Sequence, residues 1–358
     1  MPSFDIACRR LINQHIAAAK LVKPVDEVRW LAAVQAQDYA GAKWSLGLRL
    51  QNAVDADIEQ AFTDGRILRT HVLRPTWHFV APADIRWLLM LTAPRVHAVN
   101  TFMYRKLELD SAIFKRTSSV LTKVLRGGKQ LTRDELRAAI EKAGIAVQSN
   151  LRMSYIMMCA ELDGIVCSGA RRGKQFTYAL LAERVPPVKT VSRDEALTEL
   201  ARRFFLSRGP ATVQDFSKWS GLTIVDAKNG LEAVRGLLRH QVVDGQDYWL
   251  AKNTHSEKIE SPQAYLLSIY DEYISGYKDH AAILDPEYSS EMREEGNAIS
   301  YIIVIDGRIV GSWRRTLKRD AVVIETRLFK SLSKSEEQAV VQSANKYGGF
   351  VGLSVALK

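Results

Sequence analysis

The chain has 358 residues, of which 50 are basic and 40 acidic, for a formal net charge of +10. Its 47% hydrophobic and 25% charged content is that of an ordinary globular protein, which excludes intrinsic disorder and a small disulfide-stapled scaffold. At a prior of about 150 residues per domain the length accommodates two or three domains, and no apolar run approaches the roughly 18 residues of a membrane-spanning helix.

The opening MPSFDIACRRLINQ carries no apolar signal-peptide core, so the expectation is a cytoplasmic protein without membrane partners. In chain order, helices are expected at 5–19, 25–34 and 55–63, followed by paired strands at 67–73 and 77–80. The apolar run at 87–91 is interrupted by Arg86 and Pro94. Thr132-Arg-Asp-Glu135 is a capping box that opens a helix with Leu136, Ala139 and Ile140 inward, ended by Gly144. A second helix over 150–162 turns Leu151, Tyr155, Met158, Cys159 and Leu162 to one face. Asp163-Gly164 then leads into strand-like runs at 165–168 and 175–181, whose connection carries Arg171, Arg172 and Lys174 around Gly173. Helix, turn, helix and basic-tipped hairpin is the order of a winged helix-turn-helix.

The same order returns about 80 residues later. A helix at 192–206 is broken by Gly209-Pro210, and a short one starts at Thr212. Thr223 caps a third with Ile224, Leu231, Val234 and Leu238 inward, and strands at 240–243 and 248–251 meet around Asp244-Gly245. The tail is β-rich at 265–270, 300–306, 309–313 and 321–326, with Asp306-Gly307 as a hairpin signal, a helix at 335–347 and a last strand at 350–356. An acidic stretch at 285–295 reads as a solvated loop, and 185–187 and 252–262 read as linkers. The expected class is α+β: tandem winged helix-turn-helix modules at 1–130, 131–190 and 191–255, then a small C-terminal β-barrel-like domain at 256–358. A generic α+β bundle is the alternative.

Cofactor signals are missing. Cys8, Cys159 and Cys167 are too scattered for a disulfide framework or a zinc knuckle. The seven histidines contain no HExxH, and the pairs His71/His78 and His240/His255 lack Cys or carboxylate partners at metal-ligand spacing. Gly127-Gly128-Lys129 lacks the frame of a phosphate loop. Neither a metal nor an organic cofactor is expected.

Four segments together carry a resemblance: Val34-Gln35-Ala36-Gln37, the stretch from Arg69 to Val80, Asp271-Glu-Tyr-Ile-Ser-Gly-Tyr-Lys-Asp-His280, and Asp306-Gly-Arg-Ile-Val-Gly-Ser-Trp-Arg-Arg315. In that order they resemble the bacterial winged helix DNA-binding domain family, which includes the AlkZ-like DNA glycosylases that unhook interstrand crosslinks and excise alkylated purines. The resemblance implies three tandem winged helices, a C-terminal β-barrel, a basic surface for double-stranded DNA, and a Gln-aliphatic-Gln catalytic motif that falls on Gln35, Ala36 and Gln37. Pro75 stands where a glycine is expected in the hairpin.

On a continuous helix, side chains at i and i+2 point about 200° apart and share no target. Gln35 and Gln37 converge only if the chain has become extended there; otherwise Gln35 packs beside Val28 and Leu31 while Gln37 faces solvent. An amide cannot act as a strong base, but it accepts from and donates to water and so positions a nucleophile. That suffices for a cationic N7- or N3-alkylated purine, which leaves readily, and fails for a normal one. Arg69, His71, Arg74 and His78 at the first hairpin are candidate contacts to phosphates or the lesion, or solvated residues, with Trp77 as a stacking candidate or core residue. Arg171, Arg172 and Lys174 at a wing tip, and Arg314 and Arg315 beside Trp313, are candidate phosphate contacts or solvated turn residues. Two functions remain open: a monofunctional, monomeric DNA glycosylase, or a non-enzymatic winged-helix DNA-binding protein such as a regulator.

Overall fold

The computed structural model describes residues 3–17, 20–187, 189–252, 260–294 and 301–358. The expected helix end at 18–19, most of the linker at 252–262, His255, and residue 300 of the expected strand lie outside the described residues.

The chain begins with α1 (Ser3–Asn13) and α2 (Pro24–Leu31), the latter with Pro24 in its first turn, where a missing N–H costs nothing. Ala32 adopts φ +63° and ends α2 three residues before the expected boundary, and Val34–Gln35 form the short strand β1. Asp38 accepts the Gly41 N–H at 2.5 Å and caps α3 (Tyr39–Arg49); α4 (Asp55–Thr63) follows where expected. β2 (Leu68–Val72) and β3 (Arg74–Val80) pair antiparallel around Leu73, which takes φ +64°. The reversal is therefore at Leu73, and Pro75 lies exposed inside β3, so no glycine is needed at Pro75.

α5 (Ile85–Lys106) continues past Pro94, and α6 (Ser111–Leu125) follows; neither was anticipated. Then come β4 (Leu131–Thr132), α7 (Arg133–Lys142), α8 (Asn150–Leu162), β5 (Val166–Ser168), β6 (Thr177–Leu180) and α9 (Leu181–Arg184). The capping box of α7 forms as read: Thr132 Oγ1 accepts the Glu135 N–H, and Glu135 accepts the Thr132 N–H at 2.7 Å. That backbone bond, with Arg172, lowers the Glu135 carboxyl to about 2. α10 (Arg193–Arg208), α11 (Val213–Ser220), α12 (Ile224–Val234) and the hairpin β7 (Leu238–Val243) to β8 (Gln246–Ala251) complete the middle of the chain. The tail holds β9 (Ala264–Leu267), α13 (Glu272–Ser275), α14 (Ser289–Glu294), β10 (Ile302–Ile305), β11 (Arg308–Leu317), β12 (Ala321–Leu328), α15 (Lys334–Val351) and β13 (Ser354–Leu357).

The expected α+β class holds. The chain divides into two compact units, residues 1–59, 198–219 and 223–358 in one and 60–197 with 220–222 in the other. In the first, five strands form an open sheet in the order β13-β12-β11-β10-β9, antiparallel except for the parallel pair β12–β13. α15 lies against this sheet, and Trp44, Trp313 and Tyr347 fill the space between, each indole ring centroid 5.1 Å from that of Tyr347. Both indole N–H groups are satisfied, Trp44 by the Leu266 carbonyl at 2.7 Å and Trp313 by that of Leu267 at 2.9 Å. Trp313 is thus core. In the second unit α6, α7 and α8 bury Leu121, Leu136, Ile140, Met153 and Ile156 beside the sheet β4-β6-β5.

Further sequence expectations change, and Leu238 opens β7 rather than belonging to the helix capped by Thr223. Leu151 and Ile224 are 48% and 41% exposed, because each sits in the first turn of its helix, before the apolar stripe engages its core. The acidic stretch at 285–295 carries α14, and Asp285 pairs with Arg308 at 2.8 Å. Phe350 belongs to α15, packed on Trp44, and Gly352 in the left-handed region ends that helix. Among the described residues no helix is long and apolar enough to cross a membrane.

Candidate active site

Where a helix stops, its last carbonyls lose their partners. At the end of α2 a guanidinium collects them: Arg208 donates to the Leu31 carbonyl at 2.9 Å and to that of Ala33 at 3.2 Å. A cation is favoured at this end of a helix by its dipole. Arg208 is fully buried, and its charge is met by Glu272, also fully buried, at 2.6 Å. Trp219 Nε1 donates to the same carboxylate oxygen at 2.9 Å, while the other oxygen accepts the backbone N–H of Gln35 at 2.8 Å. One buried ion pair therefore holds both sides of the break between α2 and β1.

Beside it a second buried pair ties α3 to the same segment. Arg49 meets Asp271 through two bonds, at 2.7 and 2.9 Å, and Ser45 Oγ donates to Asp271 at 2.7 Å. Burial alone would raise the Asp271 carboxyl, but Arg49 and the Tyr273 N–H outweigh it and hold it below the usual aspartate value. The same carboxylate pushes the Arg49 guanidinium up against the opposing effect of burial.

With its backbone clamped, Val34–Gln35 is extended and Gln37 falls at a bend, so both glutamines are on the chain outside any helix. Gln35 is buried at 9% exposure and Ala36 at 0%, while Gln37 is exposed. Asp38 follows at once as the cap of α3. Nearby, burial drives the Tyr301 phenol up to about 12 despite the Arg315 guanidinium, and Asp38 adds to the rise, so Tyr301 keeps its proton at neutral pH.

The other sequence candidates divide into covered and open groups. Arg69 is 8% exposed, with its guanidinium 4.3 Å from the Trp77 ring and 4.6 Å from Phe176. His71 is buried, with Nδ1 on the Glu161 carboxylate and its ring 4.3 Å from Trp77. His78 is buried, and Arg74 is half-buried at the start of β3. Arg171 lies over Phe176 at 5.2 Å, and Arg172 reaches Glu135 at 2.9 Å. Lys174 is exposed and lines a cavity of about 370 Å³ with Arg69, Trp77, Arg133 and Phe176. On the C-terminal sheet Arg314 is exposed, whereas Arg315 donates to the hydroxyls of Tyr347 and Tyr301. Arg69, Trp77, Arg171 and Lys174 thus share one neighbourhood.

Arg208, Glu272, Arg49 and Asp271 were missed as supports of the Gln segment. A signal existed. Asp271-Glu272 sits between Tyr270 and Tyr273-Ile274, and consecutive acids in an apolar run demand buried cations.

The profile of the family described as DNA glycosylase AlkZ-like matches residues 28–350. The chain belongs to the AlkZ-like DNA glycosylase family. It is accordingly a DNA glycosylase, a hydrolase of N-glycosyl bonds in DNA repair, and the non-enzymatic regulator falls away. An interstrand DNA cross-link repair glycosylase of Streptomyces sahachiroi is similar to this glycosylase, 28% identical over 310 residues, covering 80% of this chain and 81% of that one. The solved structure of Streptomyces sahachiroi DNA glycosylase AlkZ shares the fold, with a TM-score of 0.80 at 22% identity over 99% of each chain.

Proposed function

We propose that this glycosylase releases cationic N-alkylated purines, and opens interstrand crosslinks formed through such purines, by attack of a water that Gln35 and Gln37 hold beneath C1′. The observation that carries this is the extended stretch Val34–Gln35, held at its backbone by Glu272. Gln35 stands in this short strand and Gln37 at the bend before α3, so the helical geometry that would turn the two about 200° apart does not apply. Positioning supplies the catalysis: fixing a nucleophile in near-attack geometry replaces a bimolecular encounter. No strong base is required, because the positive charge of an alkylated purine makes it a good leaving group. The name of the relative, a cross-link repair glycosylase, supports the extension to crosslinks.

Substrate is double-stranded DNA, gripped by tandem winged helices at 1–130, 131–190 and 191–255 and by the β-rich domain at 256–358. Arg74, Arg171, Arg172, Lys174, Arg314 and Arg315 serve phosphates, and Arg69 and His71 order the Trp77 hairpin from within. The enzyme acts as a cytoplasmic monomer, and the chemistry needs no metal or organic cofactor.

The test is incubation with duplex DNA carrying an N7-alkylated purine. Free modified base and abasic DNA without strand cleavage are expected from the wild type, and little of either from Gln35→Ala or Gln37→Ala. Wild-type rates in both variants remove the roles assigned to the pair.

A further inference from the structure

Away from the Gln segment, in the unit of residues 60–197, a histidine, a thiol and a carboxylate meet where α5 passes α8. Cys159 and Asp163 are four residues apart at the end of α8, the spacing that puts two side chains on one helical face. His97 comes from α5, 66 residues away in sequence from Asp163. Its Nε2 is 3.1 Å from one Asp163 oxygen, and Cys159 Sγ is 3.4 Å from the other. All three candidate donor atoms lie within 4.8 Å of one another.

The separations of His97 and Cys159 from the Asp163 oxygens, 3.1 and 3.4 Å, are close to those a common metal imposes. Zinc bound tetrahedrally at about 2.0–2.3 Å separates its ligand atoms by about 3.3–3.8 Å. Soft thiolate, imidazole and carboxylate together form a zinc-type donor set, unlike the all-oxygen shells of magnesium or calcium. The histidine is also held as a ligand should be. His97 Nδ1 is 2.9 Å from the Tyr104 hydroxyl, so an Nδ1–H donated there turns the Nε2 lone pair to the other two donors. Beside the cluster opens a cavity of about 700 Å³, lined by His97, Tyr104, Arg105, Lys115, Cys159 and Asp163, with room for a water as fourth ligand.

A nucleophilic Cys-His-Asp arrangement fits less well. There the imidazole takes the thiol proton and the carboxylate orients the imidazole. Here the thiol faces the carboxylate itself.

We propose that His97, Cys159 and Asp163 form a binding site for a zinc-like divalent cation that staples α5 to α8. On binding, Cys159 Sγ bonds the cation and its proton leaves to solvent, while a water completes the shell. The role is structural, and it is independent of the chemistry assigned to Gln35 and Gln37.

Titration of the reduced, chelator-stripped full chain with Co²⁺ tests this, cobalt standing in for zinc with a near-ultraviolet thiolate band. One equivalent is expected to produce thiolate-to-cobalt charge-transfer absorption that Zn²⁺ then removes. Cys159→Ser abolishes the band, and Cys8→Ser leaves it. Because Cys159 is buried, its substitution is checked by circular dichroism, and His97→Gln at a part-exposed position decides independently by weakening Co²⁺ binding about tenfold or more. A folded wild type without the band, a band that survives Cys159→Ser, or unaltered affinity in His97→Gln overturns the site. None of these readouts passes through base release, so its failure leaves the glycosylase mechanism standing.

Discussion

The backbone N–H of Gln35 donates at 2.8 Å to Glu272, a residue 237 positions further along the chain. Through Glu272 it is joined to Arg208, which in turn holds the carbonyls of Leu31 and Ala33. The proposed nucleophile holder is thus anchored by its main chain.

Substituting Glu272 should unfasten this anchor. Glu272→Gln leaves Arg208 buried without a counter-charge, and breaking a buried pair from one side costs about 3–5 kcal/mol. Urea denaturation is expected to show that loss, with base release falling alongside. A midpoint unchanged from wild type would show that the pair does not carry the segment.

Gln37→Ala should separate stability from activity. Gln37 is exposed, and exposed substitutions usually stay within about 0.5 kcal/mol. Loss of a positioned water is expected to slow base release about 10²-fold, the scale of a small misplacement of reacting groups. Single-turnover release from N7-alkylated duplex, measured beside denaturation curves, distinguishes the two effects.

Acid should expose the second buried pair. The Asp271 carboxyl is held below its ordinary value in the folded chain, so its contribution is complete above the unfolded value of about 3.9 and disappears as the pH falls through the lower folded value. The stability gap between wild type and Asp271→Asn should therefore be constant from about pH 7 to about pH 5 and narrow below about pH 4. Denaturant midpoints across that range give the answer, and a gap that widens in acid contradicts the assignment.

Lys174→Ala with Arg171→Ala should weaken DNA binding without changing which lesion is released. Every cation withdrawn from a phosphate makes the fall of log affinity with log salt shallower by about 0.9. Arg172, already engaged with Glu135, is expected to matter less. Binding isotherms at several salt concentrations measure the slopes, and equal slopes for wild type and the double variant would remove the β5–β6 connection from the interface.

Much of the local structure was legible because its causes are local. The Thr132/Glu135 box starts α7, Asp244-Gly245 turns β7 into β8, and Asp306-Gly307 turns β10 into β11. α5 was hidden by Pro94, which argues for a break, although the helix continues through it. The C-terminal strands were placed, yet Phe350 reads equally as strand or helix until Trp44 supplies the surface that it packs on. The break after α2 was read as one of two possibilities, since nothing between Val25 and Gln37 punctuates a helix as glycine or proline would.

By itself, then, the order of residues determined the capped helices, the glycine-marked turns and the β-rich tail, all of which depend on neighbours a few positions apart, while the Gln-Ala-Gln motif was indicated only through the family resemblance. Only the tertiary structure decided that the helix stops before the motif, that Arg208 and Glu272 hold Gln35 in a short strand, and that His97 meets Cys159 and Asp163. Those outcomes depend on charges and donors brought together from distant parts of the chain, and a buried charge selects its partner only once both have been taken out of water.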